Sequence, residues 1–428
     1  MNSTTRVGLL AGASMLAVTG VTLANGNDDF SAMQQRIAAM EAELAALKGD
    51  SWTTEARADE VRSIVADVLN DADSRSSLLQ SGGSAGWNRG FMLGSADGAY
   101  NLKVAGQVQF RFVAGLRDNS ADDTVYGFSN RRTKLKFSGN IVDRSWKYYV
   151  QVAANRNGGA VGLEQAYIEK DFDGFSVKAG QFKTSFLNEE NISSSRQLAA
   201  ERSLVNETFN QDYSQGVQFT WDVDNLRFSA AFTDGFGSRN NARETEFAIQ
   251  ARVDAVLAGN MSQFADFTSP MGSEYGVKIG AAARFEKDEY GTAAAGEAER
   301  YGLTIDGQVE GDGWNFFGAF IYNSVDTGGS ADPDQIAIVL QGGYYFQDDL
   351  EGFARYEYAD FDVMGAEDLN VFTVGVNKYF ASHSAKWTTD IGFAFDSLAS
   401  GFGGTGFAAD SANEDGQIVF RSQFQLLF

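Results

Sequence analysis

From about residue 100 to the C-terminus, apolar and polar residues alternate in short segments. In the last segment, residues 415–428, one face is apolar and the opposite face is polar. The apolar face carries Ile418, Phe420, Phe424, Leu426 and Phe428. A period of two residues is that of a β-strand, whose successive side chains point to opposite faces. The pattern predicts about 16 strands, namely 101–113, 131–141, 145–154, 164–171, 175–182, 212–221, 226–234, 246–256, 274–285, 300–310, 314–324, 334–346, 350–360, 368–380, 385–395 and 415–428.

The connections between these strands alternate in length. Those on one side are short turns, such as 142–145 and 222–225, and those on the other side are long loops, such as 114–130 and 183–211. This alternation, with an even number of strands, is typical of barrels in a bacterial outer membrane. We therefore predict that residues 101–428 form an all-β transmembrane domain, an antiparallel outer-membrane β-barrel of about 16 strands.

The connection at residues 257–273 does not fit this alternation. It falls on the side of the short turns, yet it is long. The sequence leaves three interpretations open: a plug-like segment, a disordered segment, or strands whose ends are misplaced at this point.

The first 80 residues have a different character. Residues 1–24 have a positive charge near the start, then an apolar stretch and small residues, so they are predicted to be a signal peptide. In residues 25–80, apolar residues recur at intervals of three and four, which predicts a periplasmic α-helical coiled coil. Its first seam consists of Phe30, Met33, Ile37, Met40, Leu44 and Leu47. The alternative is an amphipathic helix that folds onto its own domain. Residues 81–100 begin with a Gly- and Ser-rich stretch and are predicted to be a flexible linker.

Composition narrows the class of function. The chain has no Cys and one His, His383, which lies in a predicted short periplasmic turn and is expected to be solvated. Because no His or Cys spacing is typical of a metal site and no catalytic pattern surrounds the acids, we predict no enzyme activity, no metal and no cofactor. The net charge of −23 argues against a nucleic-acid partner.

Basic residues are concentrated on the early strands, at positions whose side chains point into the barrel. A charge on the lipid-facing side costs about 2–4 kcal/mol in the middle of the bilayer, which favours the inward orientation. The predicted pore-lining residues are Arg111, Arg132, Lys134, Lys136, Lys147 and Lys178. Such a basic wall attracts anions. The alternative is a balanced lumen, because acids face inward on later strands. These acids are Asp306, Glu310, Glu351, Glu357 and Asp390.

The loop at residues 183–211 carries charges of both signs. A barrel of about 16 strands has a lumen wide enough for water and solutes, and a long loop folded inward would narrow it. The candidate constriction residues are Lys183, Glu189, Glu190, Arg196, Glu201 and Arg202. The alternative is a solvated surface loop.

The sequence around this loop resembles a known family, the phosphate-selective porin O and P family. The resemblance lies in residues 180–186 (GQFKTSF), 193–195 (SSS), 201–204 (ERSL) and 216–218 (GVQ). It implies a 16-stranded, trimeric porin of the outer membrane, with this loop as the constriction.

Together these features predict a passive diffusion porin in the outer membrane of a Gram-negative-type (diderm) bacterium. The expected partners are outer-membrane lipid, two further copies in a homotrimer, small hydrophilic solutes or anions, and the periplasmic envelope through the coiled coil. The alternatives are an anion or phosphate porin and a structural protein that tethers the envelope and has an incidental or blocked pore.

Overall fold

The computed structural model describes residues 35–41, 83–117, 124–236, 239–240, 247–289, 297–326, 332–363, 367–398, 402, 404–409 and 416–428. Residues 35–41 are helical. The predicted signal peptide and most of the predicted coiled-coil segment lie outside the described residues, so the coiled coil stays a prediction. The chain divides into two compact units, residues 1–77 and 78–428, and all the strands given below belong to the second. Within the described residues, no helix combines the length and the hydropathy that crossing a bilayer requires.

The second unit is built from β-strands that pair antiparallel with their neighbours. Their bounds are β1 Gly83–Trp87, β2 Phe91–Ser95, β3 Asn101–Arg117, β4 Thr124–Asn140, β5 Trp146–Ala154, β6 Val161–Phe172, β7 Phe175–Lys183, β8 Tyr213–Val223, β9 Leu226–Thr233, β10 Phe247–Ala258, β11 Gly276–Glu289, β12 Glu297–Gly311, β13 Trp314–Asp326, β14 Asp334–Gln347, β15 Leu350–Asp360, β16 Leu369–Ala381, β17 Ala385–Ala394 and β18 Gln417–Leu427.

Strands β3 to β18 form a closed barrel of 16 strands, because β18 returns to pair with β3. The closing register places Leu427 opposite Gln107. At the C-terminus, the backbone N–H of Phe428 donates to the carbonyl of Gly106 at 3.1 Å. The Phe428 ring lies directly over Gly106, where an added Cβ would come within 2.2 Å of it. The barrel predicted from the alternating segments is therefore confirmed, and its terminal aromatic residue packs on the closing seam.

The wall is polar inside and apolar outside. In β16, Thr373 and Asn377 are fully buried, whereas Phe372, Val374 and Val376 between and beside them are exposed. A soluble sheet protein buries its apolar face, so the exposed apolar face is the one that contacts lipid.

Residues 83–95, predicted as part of a flexible linker, instead form the hairpin β1–β2. Strand β2 pairs with β3 at Asn101–Val104, just beyond the point that β18 reaches. In this register Phe91 lies opposite Val104 and Leu93 lies opposite Leu102. The unpaired edge of β3 and these apolar pairs explain why a Gly- and Ser-rich stretch is ordered here.

Candidate functional site

The loop between β7 and β8, residues 184–212, lies against the inner face of the barrel. It contains two short helices, α1 Asn188–Asn191 and α2 Leu204–Phe209, and the Ser203 side chain caps α2 by accepting from the backbone N–H of Asn206 at 2.9 Å. Inner-wall side chains hold the loop backbone. On β16 and β17, the Asn377 amide donates to the Leu198 carbonyl at 2.9 Å and the Lys386 amine donates to the Gln197 carbonyl at 2.8 Å.

Apolar packing attaches the same loop to one half of the lumen. Its residues Leu198, Leu204 and Val205 are buried in one cluster with wall residues from β14 to β18, such as Val339 and Val371. Burial of apolar surface contributes roughly 25 cal/mol per Å², so the cluster stabilises the docked loop. The loop therefore fills the part of the lumen next to these late strands.

The Glu201 carboxylate of the loop forms ion pairs with three arginines of the early strands. It is fully buried and forms ion pairs with Arg111, with Arg131 at 2.5 Å and with Arg132 at 2.8 Å. Strict alternation would point one of two consecutive arginines to the lipid. The register between β3 and β4 shifts at Gln109, where Arg131 is the extra residue of a β-bulge, so both arginines reach Glu201. The sequence pattern missed Arg131 for this reason.

The other predicted pore-lining residues also lie on the inner face, and each has a polar partner within the protein. Lys134 pairs with Glu164 at 2.6 Å, and Lys147 pairs with Asp171 at 2.5 Å. Lys178 is 3.9 Å from Glu169. Lys136 donates to the side-chain oxygen of Gln107 at 3.4 Å. Among the residues that the structure describes, no carboxylate pairs with Lys136.

The remaining charged residues of the loop are mostly joined to one another. Glu190 pairs with Lys183 and, at 3.3 Å, with Arg202. Glu189 accepts from the Ser203 hydroxyl at 2.5 Å and lies 3.9 Å from Arg355 of β15. Arg196 donates to the carbonyl of Ala265 at 3.4 Å.

The inward acids of the later strands are buried beneath this loop. Asp390 pairs with Arg421 at 2.6 Å and also accepts the backbone N–H of Ala200 at 2.8 Å. Asp306 pairs with Arg252 at 2.8 Å, and Glu357 pairs with Arg355 at 2.7 Å. Glu351 accepts from Asn315, Asn377 and Tyr379. Each of these carboxylates is thus bonded within the protein.

In the described part of the chain, three cavities lie along the opposite wall, with linings drawn mostly from β3 to β11. The outer cavity, of about 460 Å³, lies beside Arg131, Arg132 and Lys134. The central cavity, of about 320 Å³, shares Lys134 with it. The periplasmic cavity, of about 980 Å³, shares Lys178 with the central one. The cavities therefore follow one another from the side of the long loops to the side of the short turns.

The charged residues among the described residues that line the central cavity are all lysines. They are Lys134, Lys136, Lys178 and Lys183. Its other polar lining includes three loop serines and the phenols of Tyr149 and Tyr213. No carboxylate belongs to this lining among the described parts of the chain. Ammonium, hydroxyl and amide groups are donors that suit an anion.

Comparison with known structures supports the barrel. The fold is similar to that of OmpT of Vibrio cholerae, with a TM-score of 0.51 and 15% identity over 77% of this chain and 98% of OmpT. A trimer form of in-vitro folded OmpT gives a TM-score of 0.51 and 14% identity over 76% of this chain and 99% of that OmpT chain. For the anion-selective porin from Comamonas acidovorans the TM-score is 0.57 and the identity is 11%, over 76% of this chain and 99% of that porin. At these identities the similarity is one of fold.

Comparison with sequences gives one family. No curated protein matches the chain. Residues 102–306 match the model of the family described as phosphate-selective porin O and P. The resemblance seen in the sequence is therefore confirmed over residues 102–306, and this match, together with the barrel fold, supports a location in the outer membrane of a diderm bacterium.

Proposed function

We propose that the protein is a passive diffusion channel for small hydrophilic solutes, constricted by the loop at 184–212, with a weak preference for anions. The observation that carries the proposal is the central cavity, whose lining includes four lysines and, within the described residues, no carboxylate. An ion that moves between the outer and periplasmic cavities along this wall passes those lysines.

The distribution of acids supports the same preference. The chain is acidic overall, with a net charge of −23. However, the inward acids Asp306, Glu357 and Asp390 are fully buried and paired with arginines. A buried, paired carboxylate contributes little field to a solvated path on the other side of the loop, whereas a lysine at the cavity wall contributes directly.

The preference should be weak because most basic residues are neutralised nearby. Arg111, Arg131 and Arg132 share the carboxylate of Glu201. Lys136 is the lysine of the central cavity with no carboxylate partner in the described chain, and we propose that it contributes most to selectivity.

We also propose that the protein assembles as a homotrimer and that residues 25–80 form a parallel coiled coil in the periplasm. The support is the trimer form of OmpT and the spacing of the seam. A barrel trimer would raise the effective concentration of short helices that are marginal alone.

Reconstitution in a planar lipid bilayer tests the proposed channel. In a KCl gradient we expect ohmic conductance and a reversal potential on the anion side at low salt. The Debye length is about 30 Å at 0.01 M and about 3 Å at 1 M, so the preference should fade at 1 M. Cation selectivity would contradict the anion preference, and a lack of conductance would favour the envelope-tethering alternative.

A further inference from the structure

The connection between β10 and β11, residues 259–275, turns into the barrel. It lies on the side of the short turns, where the alternation of loop lengths predicts a short connection. Phe264 and Phe267 are buried, and the Phe267 ring packs against Phe317 of β13 with ring centroids 4.7 Å apart. Of the three interpretations left open by the sequence, the plug-like segment agrees with this packing.

Hydrogen bonds attach the segment to the periplasmic end of the barrel wall. The Gln308 amide of β12 donates to the carbonyl of Asp266 at 2.7 Å. The Ser269 hydroxyl donates to the carbonyl of Gly311 at 2.6 Å, and the backbone N–H of Gly313 donates to the carbonyl of Pro270 at 3.3 Å. The segment is thus held by the β12 strand and the β12–β13 turn.

The same segment contacts the β7–β8 loop from the periplasmic side. The backbone N–H of Phe267 donates to the carbonyl of Arg196, and the Arg196 guanidinium donates to the carbonyl of Ala265, each at 3.4 Å. The two segments that enter the lumen therefore contact each other.

A third contact joins the segment to the turn between β16 and β17. His383 of that turn was expected to be solvated, but its side chain is 11% exposed. Its ring lies 3.5 Å from the carboxylate of Asp266 and 3.2 Å from the hydroxyl of Thr268, and it packs edge-on against Tyr379. The imidazole is buried because the turn is covered by a segment 115 residues earlier in the chain.

We propose that residues 259–275 are a periplasmic plug, a second constriction element that closes the lumen beneath the late strands and supports the β7–β8 loop. Met261 and Phe264 of this segment also line the periplasmic cavity, so its edge sets the width of the exit. The proposal rests on the proposed function in that it assigns the plug to a conducting channel.

The test compares the full-length protein with three variants in planar bilayers. One replaces residues 260–274 with the turn Asn-Gly, a two-residue connection suited to a hairpin. We expect its conductance to rise at least about twofold and larger poly(ethylene glycol) molecules to enter, since the exit widens. Phe267→Ala keeps the chain length and should give a smaller rise. Met271→Ala, a change to an exposed residue of the same segment, should leave conductance unchanged.

The outcomes separate the plug from the channel. Unchanged conductance in both the shortened variant and Phe267→Ala, beside a conducting parent protein, would overturn the plug and leave the channel intact. If the unmodified protein does not conduct but the shortened variant does, the result would support the plug and contradict passive diffusion through the unmodified protein. If neither the unmodified protein nor any variant conducts, both the plug and the channel would be overturned.

Because the His383 side chain is buried 3.5 Å from the Asp266 carboxylate, we expect the plug to respond to pH. Burial lowers the pKa of His383 below its ordinary value of 6.5, and Asp266 offsets part of this effect. Burial raises the pKa of Asp266, but the bonds from His383 and Thr268 bring it below the ordinary 3.8. The other groups that face the imidazole are Lys386, Arg196 and the ring of Tyr379.

Acidification should therefore loosen the plug. A group whose pKa is lower in the docked state favours docking while deprotonated, so the His383 contribution is lost as the pH falls below about 6.5, and that of Asp266 only near and below about 3.8. We expect conductance to rise between pH 7.5 and 5. His383 is the single histidine of the chain, and His383→Gln should reduce this pH dependence, while Glu310 of β12 is a second titratable group that faces Asp266 and Gln263 of the plug. An equal pH response in His383→Gln would show that another group titrates.

Discussion

The variant Glu201→Gln is expected to show a much stronger anion preference than the unmodified channel. Glu201 is the carboxylate shared by Arg111, Arg131 and Arg132, and the last two line the outer cavity. The substitution removes the negative charge that these three arginines share, so their positive charges are less neutralised. A charge about 12 Å from an ion, at an effective dielectric constant of about 20, contributes about 1.4 kcal/mol. That energy corresponds to a permeability ratio changed by about tenfold at low salt.

Glu207→Gln is the matched control for this substitution. It removes one negative charge from the same loop, but its side chain is exposed on α2. The reversal potential in a KCl gradient should therefore move much less than in Glu201→Gln. Glu207 also acts through space on Arg131 and Arg132, so equal shifts of the potential in both variants would show that charge near these arginines matters and the direct ion pairs of Glu201 do not.

Glu201→Gln should also weaken the attachment of the loop. Breaking a buried ion pair on one side costs about 3–5 kcal/mol, because the partner charge stays buried. Apolar contacts of Leu204 and Val205 still hold the loop to the late strands. We therefore expect a folded barrel with more frequent conductance fluctuations, measurable in single-channel recordings.

The barrel could be predicted from the sequence because a membrane imposes a strict rule on each strand. Every spanning strand must present an apolar face to lipid, so its period of two is legible without knowledge of its neighbours. The prediction is least accurate where strands extend beyond the bilayer. Strand β4 begins at Thr124, seven residues before the predicted start at 131, where the alternation is weak.

Bulges limit how far alternation can identify the inner face. Arg131 follows Asn130 and precedes Arg132, and the alternation assigns only one arginine to the lumen. The bulge turns both inward. A second register shift, between Gln151 and Val152 of β5, lies beside Glu164, the partner of Lys134. Two adjacent charged residues in a spanning strand are a signal that could have predicted the first bulge, since a charge facing lipid is costly.

The docking of the loop and of the β10–β11 segment could not be derived from strand patterns. Their contacts join residues far apart in the chain, such as Ala200 with Asp390. One signal was nevertheless present. Residues 336–340 of β14 are apolar at every position, and Ala337 and Val339 are buried inside the barrel. An apolar inner face in a water-filled lumen is unfavourable unless another segment covers it.

Reversing the charge of Lys136 is expected to abolish the anion preference of the unmodified channel. Lys136 lines the central cavity and pairs with no carboxylate in the described chain, so its field acts on the path directly. Lys136→Glu changes the local charge by two, and with Lys134→Glu, beside Glu164, the preference should reverse to cations. The effect should be large at about 0.01 M salt and small at about 1 M, where the Debye length is about 3 Å.

Lys147→Glu is the matched control for the central cavity. It makes the same change of charge in the wider periplasmic cavity, where Lys147 is half exposed and already paired with Asp171. Its reversal potential should stay close to that of the unmodified channel, because water and the neighbouring acid screen the change. Shifts of equal size in Lys147→Glu and Lys136→Glu would show that net lumen charge sets selectivity. Since the central cavity is the smallest of the three and its lining is the richest in lysine, we expect the two variants to differ.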